Sequence, residues 1–232
     1  MDTNKFTIPL AIIVAGLIIG GSIYLSSNKQ PSKEINEVIP RGPEAMRPIT
    51  ADDHILGNPN ADIIIVEYSD IECPFCKQFH VTLKRIMSEY GPTGQVAWVY
   101  RHFPIDSLHK NARIEAEATE CAAELGGNAK FWEYTDTIYE RTTSNDGLDL
   151  AQLPIIAEEV GLNKEAFNEC LNSGRYAEKV QADYENAVAS GGEGTPHSIL
   201  IITSTGERVL IPGALPYQNI KQAIDGILSS IN

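Results

Sequence analysis

The chain has little of several residue types, and each shortage excludes a class of protein. Its 232 residues include only 18 lysines and arginines against 31 aspartates and glutamates, a formal net charge of −13. Nucleic acids are bound through basic surfaces, so we expect no nucleic-acid partner. Outside one C-x-x-C motif the cysteines are isolated, and none of the five histidines forms an H-x3-5-H pair, so a zinc site is disfavoured. No G-K-[ST] follows the glycines at 191–194, which excludes a phosphate-binding loop.

The N-terminal region carries an export element. Residues 6–25 form an uncharged, mostly apolar run of 20, which as a helix spans about 30 Å, the thickness of a bilayer core. We therefore predict a transmembrane anchor over residues 1–25. A cleaved signal peptide is the alternative, although its apolar part is usually shorter and no A-x-A-like site follows Tyr24. Residues 26–50 are polar with four prolines and are predicted to be a linker.

The most informative motif is Cys73-Pro74-Phe75-Cys76. It lies between a strand-like run, residues 62–68, and an amphipathic run from 77 to 90. A cysteine at a helix N-terminus is favoured as a thiolate by the helix dipole and the free N–H groups. Pro74 suits the first helical position, where its missing N–H costs nothing. This placement predicts a dithiol redox site, although half a zinc site, a structural pair or chance are the alternatives.

The remaining pattern predicts an α/β domain over residues 51–232. A second strand is expected at 96–101, followed by an almost entirely helical block at 107–190. Two further strands, at 198–203 and 207–211, precede a last helix at 217–231. The order is therefore β-α-β, a block of helices, then β-β-α.

In its motifs the chain resembles the DsbA-like thiol-disulfide oxidoreductases, and within them the BdbD-type branch. The resemblance covers about residues 51–232. Its carriers are Asp70-x-x-Cys73-Pro74-Phe75-Cys76, Arg101-His102-Phe103-Pro104, His109-x-x-Ala112, Lys130-Phe131-Trp132 and Gly194-Thr195-Pro196. The resemblance implies a thioredoxin fold with an inserted helical domain, here at 107–190.

The resemblance also assigns roles to residues of the motif and of the proline loop. Cys73 would be the nucleophile and Cys76 its resolving partner. Pro196 would be a cis-proline facing the motif, and the backbone of Thr195 would pair with an extended substrate.

The resemblance also implies a wider substrate-binding set. It comprises Pro74, Phe75, Thr195, Pro196 and His197, and a surface role for His197 is an open alternative. The family members with His at the position of Phe75 have an additional donor to the thiolate. We therefore expect a somewhat less oxidising enzyme.

Three acidic residues surround the motif. The resemblance implies that Glu67 is buried and transfers a proton for the second cysteine, since burial raises a carboxyl pKa into a useful range. A solvent-facing strand residue is the alternative. Asp70 and Glu72 are expected to act on local electrostatics and to oppose formation of the Cys73 thiolate.

The other two cysteines, Cys121 and Cys170, lie on predicted helices. Related proteins carry a structural disulfide in this domain, so we expect a bridge, with two buried free thiols as the alternative.

These inferences describe a membrane-tethered, extracytoplasmic oxidoreductase that donates the Cys73–Cys76 disulfide to reduced or misfolded exported proteins. A membrane or extracytoplasmic redox partner would recharge it, and no cofactor or metal beyond the cysteine pair is expected. An isomerase or reductase is the first alternative, although residues 26–50 are too short for the dimerisation domain of isomerases. A chaperone-like peptide-binding protein is the second.

Overall fold

The computed structural model describes residues 45–231. The predicted anchor and most of the predicted linker lie outside the described residues. Among the helices of residues 45–231, none combines the length and the apolar character that crossing a bilayer requires.

The described residues form a five-stranded sheet, six α-helices and one short 3₁₀ turn. The strands are β1 (His54–Gly57), β2 (Ile63–Ser69), β3 (Val96–His102), β4 (His197–Ile202) and β5 (Glu207–Ile211). The helices are α1 (Pro74–Tyr90), α2 (Ala112–Arg141), α3 (Leu153–Glu159), α4 (Lys164–Ser173), α5 (Ala177–Ala189) and α6 (Tyr217–Ile231), and the 3₁₀ turn is Leu150–Gln152.

The sheet has the strand order β1-β3-β2-β4-β5. Strands β2 and β3 are parallel and are joined through α1, whereas β1–β3, β2–β4 and β4–β5 pair antiparallel. The predicted thioredoxin-like α/β fold with a helical insertion between β3 and β4 is confirmed. The antiparallel edge strand β1 was not predicted.

Alternation along β2 decides which side chains reach the active-site helix. All seven residues of β2 are buried, so the sheet is covered on both faces. Ile63 and Ile65 pack in the apolar cluster that contains α1, whereas Ile64 and Val66 pack in the cluster on the other face. Because strand side chains alternate, Glu67 points to the same face as Ile63 and Ile65. The strand thus places a carboxyl under the helix that carries the cysteines.

The inserted helices are held by a kinked helix and a disulfide. Helix α2 has a kink at Gly127, the one residue within it that has non-helical angles (φ 73°, ψ −173°). Cys121 on α2 and Cys170 on α4 are bonded, with 5.8 Å between their Cα atoms. The expected structural bridge is therefore confirmed.

Residues that precede β1 also pack against the domain. Met46 is buried, and Arg47 is paired with both Asp53 and Asp183. Arg101, fully buried on β3, donates through Nε to the same Asp53 carboxylate at 2.8 Å. The last residues of the predicted linker therefore pack against the domain before position 51.

Candidate active site

The C-x-x-C motif lies at the N-terminus of α1, as predicted. Cys73 is the N-cap residue with extended backbone angles, and Pro74 takes the first helical position. The N–H of Lys77 donates to the Cys73 carbonyl at 3.0 Å and closes the first turn. Both cysteines are free thiols. Cys73 keeps 5% of its surface exposed and Cys76 none, so an approaching sulfur can reach only Cys73.

The second half of the site is the loop before β4. The Thr195–Pro196 peptide bond is cis, as expected. Cys73 Sγ lies 3.5 Å from the Thr195 carbonyl oxygen, so the loop packs against the motif. Pro196 is buried and Thr195 is half-buried, whereas Pro74 and Phe75 are exposed, Phe75 by 61%. An exposed aromatic ring and an accessible backbone therefore flank Cys73.

His197 is placed differently from the other members of the predicted substrate-binding set. His197 is 6% exposed, and its Nε2 lies 3.0 Å from Ser190 Oγ. The ring also contacts Tyr68 on the far side of the sheet. A substrate-binding role for His197 stays a prediction, and this buried position gives it no support.

The two thiols have opposite electrostatic environments. A hydrogen bond from Cys76, helped by the Thr195 side chain and the N–H groups of Cys76 and Phe75, outweighs burial and lowers the pKa of Cys73 to about 6. Burial, together with the neighbouring Cys73 and Glu67, raises the pKa of Cys76 well above its usual value. At pH 7 Cys73 is therefore a thiolate and Cys76 a thiol, the arrangement that thiol exchange requires.

Glu67 is fully buried, which confirms the burial expected from sequence. Its Oε1 accepts from Ser69 Oγ at 2.8 Å and its Oε2 accepts from Trp98 Nε1 at 3.0 Å. Burial outweighs both hydrogen bonds and raises the pKa of Glu67 to about 8. A carboxyl with that pKa can both give and take a proton near neutral pH.

Asp70 and Glu72 are both buried, and each holds together separate segments around the motif. The Asp70 carboxylate accepts from the N–H groups of Glu72 and Ile105 and lies 2.9 Å from His109 Nδ1. Glu72 accepts from Thr142 Oγ1 at 2.8 Å. These carboxylates therefore organise the loops that surround Cys73, a role that the sequence did not indicate.

Sequence reasoning missed the partners of Glu67 and Asp70. Trp98 and Ser69 lie on strands that were predicted, but their contacts with Glu67 depend on strand register. His109 was named only as part of the His109-x-x-Ala112 motif. Its distance from Asp70 along the chain, 39 residues, left no local signal.

Comparison with known proteins agrees with this geometry. The sequence model of a family described as thioredoxin matches residues 50–225. The chain belongs to the thioredoxin family. Among solved structures, DsbA2 of Pseudomonas aeruginosa is 28% identical, with a TM-score of 0.64 over 78% of this chain and 97% of that one. BdbD of Bacillus subtilis, in its oxidised form, is 21% identical with a TM-score of 0.67 over 76% and 93% of the two chains. The resemblance to DsbA-type proteins, BdbD among them, is confirmed, and at 21% identity BdbD itself shows the fold alone.

Curated relatives of the sequence are much longer proteins. The Na(+)/H(+) antiporter NhaA 3 of Salinispora tropica is 31% identical over 200 residues, which are 84% of this chain and 29% of the antiporter. The Na(+)/H(+) antiporter NhaA 1 of Mycolicibacterium gilvum is 32% identical over 190 residues, again 29% of its length. This chain spans less than a third of either relative, so the antiporter activity in their names describes those longer proteins.

Proposed function

We propose that this protein is a thiol-disulfide oxidoreductase that introduces disulfides into exported proteins through its C-P-F-C motif. The observation that carries the proposal is the asymmetry of the two thiols at the end of α1. Cys73 is accessible with a pKa lowered to about 6, and Cys76 behind it is buried with a raised pKa. A low thiol pKa makes Cys73 a good leaving group, which favours passing the disulfide on.

The reaction begins with Cys73 and Cys76 joined as a disulfide. A substrate thiolate attacks Cys73 Sγ, a mixed disulfide forms, and Cys76 leaves as a thiolate. A second substrate thiolate then attacks the substrate sulfur of the mixed disulfide and releases Cys73 as a thiolate. The substrate loses two electrons and gains a disulfide, and the enzyme keeps both electrons as a dithiol. A redox partner must reoxidise that dithiol.

Glu67 supplies the proton that the Cys76 thiolate needs. With a pKa of about 8 the carboxyl is mostly protonated at pH 7, while the leaving Cys76 is a strong base because of its burial. Proton transfer from Glu67 to Cys76 makes the first exchange difficult to reverse. When the partner recharges the enzyme, Glu67 takes the proton back as Cys76 attacks.

The site of action is proposed from the sequence of residues 6–25 and the second disulfide. An N-terminal anchor would hold the domain on the extracytoplasmic side of the membrane, where reduced or misfolded exported proteins appear. The Cys121–Cys170 bridge supports this location, since disulfides persist in oxidising compartments. No cofactor beyond the cysteine pair is proposed.

The direct test is disulfide transfer to a reduced, unfolded protein. Cys73→Ser should abolish transfer by the full chain. Val81→Ser, an exposed position on the same helix, should leave transfer unchanged. Full transfer by the Cys73→Ser protein would refute the catalytic proposal and leave the chaperone-like alternative.

The direction of electron flow is tested by the reduction potential of the Cys73–Cys76 pair, titrated against glutathione. A value between about −120 and −180 mV would mark a disulfide donor, whereas one near −270 mV would mark a thioredoxin-like reductant. The second result would replace the proposed oxidase with the reductase alternative.

A further inference from the structure

Trp98 contacts the one buried carboxyl that the proposed reaction uses. It lies on β3, opposite Ile65 in the parallel register with β2, and is fully buried. Its Nε1 donates to Glu67 Oε2 at 3.0 Å, while Ser69 occupies the other carboxyl oxygen. Each oxygen of Glu67 therefore has one donor from a neutral side chain, inside an otherwise apolar cluster.

Such donors are what keep a buried carboxyl able to ionise. Moving a carboxylate into an apolar interior is very costly, and hydrogen bonds to its charged form offset part of that cost. An indole N–H only donates and carries no charge, so it favours the carboxylate without fixing it in that form. A lysine in the same place would add a full charge and hold Glu67 ionised.

We propose that Trp98 is a positioning residue for the proton transfer, holding Glu67 beside the cysteines and keeping its carboxyl able to release a proton. The inference rests on the proposed function. Ser69 has the matching role on the other oxygen and is held in turn by Tyr139, whose hydroxyl lies 3.0 Å from Ser69 Oγ.

Other titratable groups also act on Glu67, and none of them replaces Trp98. They come from the motif, from β3 and from α2, and are Cys73, Cys76, Tyr100 and Tyr139. As anions all four would disfavour the Glu67 carboxylate. His80 packs edge-on against the Trp98 ring, with 5.0 Å between the centroids. The two hydrogen-bond donors are thus the groups that oppose this repulsion.

The chain offers a matched control, because it contains two tryptophans. Trp132 packs on Trp98 with 4.6 Å between ring centroids and is likewise buried. Its Nε1 is buried and has no hydrogen-bond partner within residues 45–231. Trp132→Phe therefore removes an indole from the same cluster without removing a bond to Glu67.

The first experiment measures the pKa of Glu67 directly, by carbon-13 NMR of the reduced full chain carrying labelled glutamate. Trp98→Phe should raise the Glu67 pKa, with at least a tenfold drop in its acid constant, since a hydrogen bond to a charged group is worth about 1.5–3 kcal/mol. Trp132→Phe should leave it near 8. Equal shifts in the two variants, or none in Trp98→Phe, would overturn the proposal.

A second measurement keeps the proposal testable if Trp98→Phe fails to fold. In the Trp132→Phe protein Trp98 is the sole tryptophan, so its fluorescence reports on its own hydrogen bond. We expect the emission of the reduced protein to change with a midpoint near pH 8, and the change to vanish when Glu67→Gln is added. A fluorescence titration that Glu67→Gln does not alter would contradict the bond between them.

These readouts separate this inference from the proposed function. Neither the NMR titration nor the fluorescence titration requires disulfide transfer. If transfer survives Cys73→Ser, the oxidoreductase proposal fails while the Trp98–Glu67 coupling can still be observed. If transfer depends on Cys73 but Trp98→Phe and Trp132→Phe give the same Glu67 pKa, only the role of Trp98 fails.

Discussion

Glu115 on α2 gives a stability prediction that can be worked out from the structure. Its side chain is fully buried, and neither carboxyl oxygen has a hydrogen-bond donor within residues 45–231. Burial, together with the neighbouring Glu72 carboxyl and the charges of Asp70 and Asp146, raises the pKa of Glu115 to about 10. In the folded protein Glu115 is therefore a neutral acid beside the Glu72 carboxyl.

Glu115→Gln should stabilise the fold at neutral and alkaline pH. Folding raises this pKa from 4.5 to about 10, so the folded state binds the proton more tightly and stability falls as the pH rises through that window. At pH 7, which is 2.5 units above the unfolded pKa of 4.5, ionisation stabilises the unfolded chain by about 3.5 kcal/mol, at about 1.4 kcal/mol per pH unit. Glutamine is neutral in both states, so the variant should recover most of that amount.

The assay is denaturant unfolding at several pH values between 6 and 9, comparing the free energy of unfolding at constant m-value. The difference in free energy of unfolding between Glu115→Gln and the wild type should grow by about 1.4 kcal/mol per pH unit across this range. Glu140→Gln, an exposed carboxylate on the same helix, should change stability little and without this slope. A Glu115→Gln protein with the stability and pH slope of the wild type would refute the protonated assignment.

Three further measurements test other parts of the structure. Replacing both Cys121 and Cys170 by alanine should lower the free energy of unfolding by about 4 kcal/mol, the chain-entropy value for a closed loop of about 50 residues, as measured by urea unfolding. Absorbance at 240 nm of the reduced protein should show the Cys73 thiolate forming with a midpoint near pH 6, and a midpoint above 8 would contradict the asymmetric pair. Although burial lowers the pKa of His109, Asp70 outweighs it and raises that pKa, so His109→Gln should shift the Cys73 midpoint upward by removing a nearby cation. An unchanged midpoint would contradict that coupling.

The elements that sequence predicted well are those specified by local chemistry. Helix α1 was predicted because Cys73-Pro74 supplies an N-terminal signal and the residues to Tyr90 keep a helical period. Strand β2 was predicted from its run of β-branched residues, which is typical of a strand buried on both faces. In these segments the chain needs no distant partner to choose its conformation.

The features that sequence missed depend on residues far apart in the chain. Strand β1 has only four residues, and it exists because His54–Gly57 pairs antiparallel with residues of β3 that lie 40 to 46 positions later. The Trp98–Glu67 bond requires a register between two strands, since a shift of one residue would turn the indole to the other face. The neutral state of Glu115 requires a helix of the insertion to pack against the motif.

The balance of charge around Cys73 shows why counting acidic neighbours in the sequence gives only part of the answer. Asp70 and Glu72 were expected to oppose the thiolate, yet the pKa of Cys73 is lowered to about 6. Asp70 faces His109 at 2.9 Å, so its charge is paired with an imidazole. Glu72 lies beside the protonated Glu115 and accepts a hydrogen bond from Thr142 Oγ1. Because each of the two carboxylates has a partner other than Cys73, the hydrogen-bond donors at the helix N-terminus decide the state of the thiol. A less oxidising enzyme, expected from Phe75 and these acids, stays a prediction for the reduction potential to decide.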